Sequence, residues 1–203
     1  MSKSTRERLR SKRRRERARS ILIGGIIALV LVLGVAWLFN QSRARGSGEV
    51  VPIPQVQPVE EMSEIAHVAE GADPGPYNSD PPTSGKHYPI QAFADFIDED
   101  RVESFGEFPE GYMVHSLEHG YVIFWYNCEV VSDTECEDLK DEIKQVMGRV
   151  GDFKVIGLPW TTIDEPVVMT SWGRLLRFEE FDPDLAEQYV RNFRNQAPEP
   201  NAP

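Results

Sequence analysis

From Ile21 to Phe39 the chain runs through nineteen residues without a charge, ILIGGIIALVLVLGVAWLF, directly behind a block of arginines. At about 1.5 Å per residue such a run spans close to the ~30 Å hydrocarbon core of a bilayer, so it predicts a transmembrane helix. A buried core helix would seldom be apolar on every face with arginines immediately outside it. A cleaved signal peptide has a shorter apolar centre, about 7 to 15 residues, and a small-x-small cleavage site. This run ends instead in Trp37-Leu38-Phe39-Asn40, with no Ala-x-Ala pair. The expectation is an uncleaved signal anchor in the cell membrane, single-pass, with the N-terminus inside and the C-terminal domain extracytoplasmic.

Charge divides at the same place. Residues 1–20 hold ten Lys and Arg against Glu7 and Glu16, a net +8, and the remainder holds 12 basic and 31 acidic residues, a net −19, out of −11 for all 203 residues. The sequence permits nucleic-acid binding by the basic arm, but a cytoplasmic anchor in contact with anionic lipid is sufficient explanation and is the expectation. The acidity beyond it argues against a nucleic-acid partner and for cationic partners or simple solubility.

Beyond the apolar run, residues 40–61 are polar and Pro-spaced, an extended linker by composition. Residues 62–195 are expected to form one extracytoplasmic domain, and 196–203 (QAPEPNAP) a disordered tail. Tyr121 to Tyr126 (YVIFWY) reads as a strand buried on both faces. Ser132 and Glu135 form a capping-box pattern before a helix carrying Leu139, Ile143, Val146, Met147 and Val150 at helical spacing. Phe153–Gly157, Val167–Ser171 and Arg174–Phe178 read as strands. Asp182 with Pro183 caps a last helix, whose inner face is Leu185, Ala186, Tyr189, Val190 and Phe193. The predicted class is α+β, a transmembrane helix and then a domain of order β-α-β-β-β-α with an irregular, loop-rich first half. Its first helix would cross over between parallel strands.

Cys128 and Cys136 are the only cysteines. Eight apart in an oxidising exterior, they predict a disulfide closing a short loop, since redox and zinc pairs prefer closer spacing.

All four histidines, His67, His87, His115 and His119, lie in the first half of the domain, two of them in the H-x-x-E-H pattern His115-Ser-Leu-Glu118-His119. As a strand, that segment would hold His115 and His119 about 13 Å apart, too far to share an ion. On a helical turn residues four apart approach to ~6 Å, and Gly120 suits a helix stop. The segment is too short for its sequence to decide between them. Inverted zinc proteases share the pattern but need a long active-site helix and a third ligand, which a compact domain with the motif set against a strand does not offer.

PPTSGKHYP (residues 81–89) and VHSLEHGYVIFWY (114–126), with His67-Val68 and Gly71 upstream and TSWGR (170–174) downstream, resemble the domain of unknown function family 3105 over about residues 60–195. The resemblance implies an exported or membrane-anchored bacterial protein and carries no established activity. The family positions matched are His67, Pro81, Pro82, Thr83, Ser84, Gly85, His87, His115, Glu118, His119, Gly120, Trp172 and Gly173. All four histidines fall among them, which favours one shared site.

The expected ligands are His67, His87, His115, His119 and Glu118, with Glu118 either a ligand or an outer acceptor fixing a histidine tautomer. Met113 and Met169 would be soft ligands favouring copper if they point inward; without them, imidazoles suit zinc or Cu(II). The expected function is transition-metal binding, with no catalytic residue assigned. Two alternatives stay open: a metal-free structural or partner-binding envelope domain, presenting Tyr77, Tyr88, Phe93 and Phe96, and a metal-dependent hydrolase.

Overall fold

The computed structural model describes Ile53 and residues 55–202. The basic arm, the 21–39 run and most of the 40–61 linker lie outside the described residues. In chain order the elements are β1 (Gln57–Pro58), β2 (Asp95–Phe96), α1 (Glu99–Val102), α2 (Glu110–Glu118), β3 (Val122–Tyr126), α3 (Asp133–Val150), β4 (Val155–Pro159), β5 (Val167–Ser171), β6 (Arg174–Phe178) and α4 (Pro183–Phe193). Among the described residues these make a mixed α+β fold of six strands and four α-helices, with short 3₁₀ turns at Glu103–Phe105 and Cys128–Val130.

The strand order is β1-β6-β5-β3-β4-β2. β3 lies at the centre because VIFWY is apolar on both faces, and all five of its residues are buried. It pairs in parallel with β4, to which α3 connects it, and antiparallel with β5. β5 and β6 form an antiparallel hairpin.

The two faces of β3 feed two cores. Val122, Phe124 and Tyr126 pack with Met169, Leu176 and Phe178 under α3 and α4. Ile123 and Trp125 pack with Ile156, Leu158 and Val168 under α2. Ser132 caps α3 through the full capping box with Glu135, and Gly151 ends that helix in the left-handed region. Asp182 caps α4 ahead of Pro183. The Cys128–Cys136 disulfide closes the loop between β3 and α3.

The fold expectation needs correcting in three places. No helix among the described residues is long and apolar enough to cross a membrane, and the 21–39 run expected to do so lies outside them. The sheet has six strands rather than four. Gln57–Pro58, read as linker, pairs antiparallel with β6, and Asp95–Phe96 pairs in parallel with β4, so the first half adds both edge strands as well as α1 and α2. Edge strands of two residues are too short to leave a periodic trace; they pair because β6 and β4 offer open backbone edges. Finally, the C-terminal residues are tied down instead of fraying. Asn195 N–H donates to the Gly120 carbonyl (2.8 Å) and Glu199 N–H to the Glu118 carbonyl (3.0 Å). The Lys154 ammonium donates to the carbonyls of Pro200 and Ala202, each at 2.9 Å, and of His119 at 2.8 Å.

Candidate metal centre

The segment 110–118 is helical, so α2 places His115 and Glu118, three residues apart, on one side while Met113, Val114 and Leu117 enter the core. Pro109 precedes the helix and His119 closes it. Gly120 then turns the chain into β3 with φ +86°, and a Cβ there would stand 2.7 Å from the Asn195 backbone, so the glycine serves both the turn and the docking of the tail.

Two loops bring the remaining groups over α2. Val68 N–H donates to the His87 carbonyl (2.8 Å) and His87 N–H to the Ala66 carbonyl (3.1 Å), a single parallel bridge that sets His67 beside His87. The Pro81–Gly85 segment is buried, with Ser84 Oγ accepting from Met62 N–H at 3.0 Å, so it is a packed wall under His87. Gly111 lets the Tyr88 ring lie flat on α2, since a Cβ there would come within 2.6 Å of it. Tyr88 N–H in turn donates to the Gly111 carbonyl at 3.0 Å.

His67, His87, His115 and Glu118 thereby converge, each offering one ligand atom, all within 4.8 Å of one another. The His67 and His115 rings stack at 13° with centroids 5.2 Å apart, and His87 stands edge-on to both at 4.9 and 5.1 Å. His87 and His115 are buried, whereas His67 is exposed and opens the cluster to solvent.

Hydrogen bonds on the far side of each buried ring fix the tautomers. His87 Nδ1 donates to the Gly85 carbonyl (2.8 Å) and His115 Nδ1 to the Tyr88 carbonyl (2.6 Å), so both Nε2 atoms keep a lone pair. His87 Nε2 is buried without a hydrogen-bond partner, although Glu118 Oε2 lies 3.1 Å away; the two are not aligned for an N–H···O bond. Two ligands on one tetrahedral ion at 2.0–2.1 Å stand about 3.3 Å apart, close to the 3.1 Å between this pair. Burial, reinforced by the neighbouring imidazoles of His119, His87 and His67, pushes the His115 pKa down to about 4 against the Tyr88 carbonyl's pull, so at neutral pH it is the uncharged donor a metal requires.

His119 does not join these four. Its ring centroid is 4.5 Å from that of His115, but Nδ1 donates to Gln91 Oε1 and Nε2 faces Glu199 Oε2 at 3.6 Å. It belongs to a second grouping, Glu118, His119 and Glu199, whose ligand atoms also lie within 4.8 Å of one another. Gln91 and Glu199 escaped the sequence reading: one is a lone amide in a loop, the other sits in a Pro-rich stretch that carries no periodic signal.

The thioethers are elsewhere. Met113 is buried in the apolar cluster beneath α2, and Met169 packs under α3 and α4 on the other face of the sheet. The cysteines are spent in the disulfide. The donor set is therefore three imidazoles and a carboxylate, of borderline hardness. Ser116 Oγ accepts from Ala92 N–H and donates to the Ala92 carbonyl, a structural tie between the loop and α2.

No curated protein and no solved structure is significantly similar to the chain. The family model described as "Protein of unknown function (DUF3105)" matches residues 67–203, a stretch that runs from His67 through the docked tail. The chain belongs to the DUF3105 family.

Proposed function

We propose that this domain binds a divalent transition metal, zinc or Cu(II), through His67, His87, His115 and Glu118. The observation that carries the reading is the buried Nε2 of His87, a lone pair with no hydrogen-bond partner beside a carboxylate oxygen 3.1 Å away. Two acceptors facing each other in the interior cost energy unless a cation lies between them. A protonated His87 would answer that demand only if its N–H were aimed at Glu118, and it is not. The hydrogen bonds that His87 and His115 donate to the Gly85 and Tyr88 carbonyls hold the rings as they are held around protein-bound metals, and exposed His67 gives an ion its route in. The disulfide supports an oxidising, exported setting for the domain.

The partner-binding alternative gains little support from the geometry. Of the four aromatic residues expected to present a patch, Tyr88 is fully buried, Tyr77 and Phe96 are half-buried, and Phe93 alone is exposed.

The test is zinc content of the full chain, purified without a polyhistidine tag and equilibrated with micromolar Zn(II), beside His87→Ala and His115→Ala. We expect bound zinc in the wild type and at least one equivalent lost in each variant, with far-ultraviolet circular dichroism unchanged. Wild-type protein that binds neither zinc nor Cu(II) overturns the proposal.

A further inference from the structure

We propose that the C-terminal segment 195–202, clamped by buried Lys154, is a strap that positions the metal ligand Glu118, so that docking of the tail and binding of the metal strengthen each other. The inference deepens the metal-binding reading and rests on it.

A helix leaves its last carbonyls without partners in its own ladder. At the end of α2 the chain satisfies these from within as far as Leu117: His119 N–H donates to the His115 and Ser116 carbonyls, and Gly120 N–H to that of Leu117. The next three are served from outside the helix. Glu118 accepts from Glu199 N–H (3.0 Å), His119 from the Lys154 ammonium (2.8 Å) and Gly120 from Asn195 N–H (2.8 Å). The residue that carries the carboxylate ligand is thus the first whose carbonyl draws its partner from the tail.

Lys154 ties this arrangement to the sheet. It immediately precedes β4, its own carbonyl accepts from Val122 N–H at the start of β3 (3.0 Å), and it is 3% exposed. An ammonium has three donors and no acceptor, and all three are used, on His119 at the helix end and on Pro200 and Ala202 in the tail. One buried cation therefore grips both the helix end and the strap. With φ +52° it also holds a left-handed backbone conformation, which a residue with a Cβ keeps only where its surroundings over-determine it.

His115 and Glu118 are the two ligands that α2 supplies. The His115 ring is held by the Tyr88 carbonyl, whereas the Glu118 carboxylate takes its place opposite His87 from the backbone of the last turn. With the strap undocked, three carbonyls at that end turn to water and the last turn frays, which displaces one ligand of four and leaves both cores packed. A strap that raises metal affinity by a given factor is itself held more tightly by the same factor once the metal is bound, because the coupling is reciprocal.

The test is zinc titration of the full chain beside Lys154→Met, with unfolding midpoints measured on the same samples, and amide hydrogen exchange of the wild type with and without zinc. Lys154→Met keeps the apolar stem and removes the three donors. We expect its zinc dissociation constant to rise about tenfold or more, the scale found when an outer partner of a metal ligand is lost. The Glu199 amide of the wild type should exchange more slowly by a comparable factor once zinc is bound. A merely structural lysine would lower the midpoint and leave the zinc affinity of the folded protein as it was, and that result overturns the proposal. Glu199 exchange indifferent to bound zinc overturns it without recourse to any variant. Wild type that binds neither zinc nor Cu(II) overturns the metal-binding reading itself, and this inference with it.

Discussion

The two faces of the central sheet are made of different material. Under α3 and α4 the contacts are mainly between apolar side chains, Phe124 and Tyr126 against Ile143, Val146 and Tyr189, with buried Ser171 bonded to the Tyr189 hydroxyl, and each helix carries its own N-cap. On the other face a single nine-residue helix and several loops bury Thr83, Ser84, His87, His115, Ser116 and His119 among the hydrophobic residues. Burying polar groups stabilises little and constrains much, because each needs a partner at a fixed angle. One face thus supplies the stability against which the other can keep donor atoms close together.

The sharpest way to break that contrast is to hollow out the apolar face. Phe124→Ala, fully buried opposite Met169, should cost about 3–5 kcal/mol in denaturant unfolding. Whatever fraction remains folded should bind zinc as wild type does. A folded variant with impaired zinc binding would show that the faces are not independent.

How legible each face was follows from the same contrast. α3 and α4 declare themselves locally, through Ser132 with Glu135, Asp182 with Pro183, and apolar residues at helical spacing. The other face is assembled from contacts between distant residues. His67 meets His87 only because the backbones of 66–68 and 87 pair across a turn, and nothing in either stretch signals the other. The H-x-x-E-H spacing made a shared ion between His115 and His119 the natural expectation. The structure puts Glu118 with His115 instead and leaves His119 to Gln91 and Glu199. Glu199 was invisible because its position depends on a buried lysine 45 residues earlier that gathers the tail's carbonyls.

Metal and protons should act on the polar face in opposite directions. Zinc at about a hundred times its dissociation constant should raise stability by about 2.7 kcal/mol, and a chelator should remove that increment. In the chelated protein, His115 titrates at about 4 when folded and near 6.5 when unfolded. Protons therefore bind the unfolded chain first, so stability is constant above about pH 6.5 and falls as pH is lowered from there to about 4. His115→Gln should flatten that part of the profile in chelated protein. An unchanged slope would mean that His115 is not the titrating group.

A smaller change links packing to the site directly. Gly111→Ala inserts a methyl 2.6 Å from the Tyr88 ring, and Tyr88 supplies the carbonyl that holds His115. Overpacking of this kind costs about 1–3 kcal/mol. Since the ring must move, zinc affinity should fall as well, by roughly tenfold or more, the scale seen when an outer hydrogen bond to a metal ligand is disturbed. Equilibrium unfolding and zinc titration on the same preparation measure both effects. Loss of stability with unaltered zinc affinity would mean that Tyr88 shifts without moving its carbonyl.

The mildest perturbation is the most discriminating control. Ser132 Oγ accepts a hydrogen bond from Glu135 N–H, and the Glu135 carboxylate accepts one from Ser132 N–H, at the start of α3 on the apolar face. Ser132→Ala removes the side-chain half of that box and should cost about 1 kcal/mol, as lost caps do. The Cys128–Cys136 disulfide, which joins the same turn to the end of β3, keeps the helix start in place, so the loss should appear as a lower unfolding midpoint with the same cooperativity. Zinc stoichiometry and affinity should not change, because α3 contributes no ligand. A cap substitution that weakened zinc binding as much as Gly111→Ala does would mean that strain passes through β3 from one face to the other, and the division between a stabilising face and a binding face would fail.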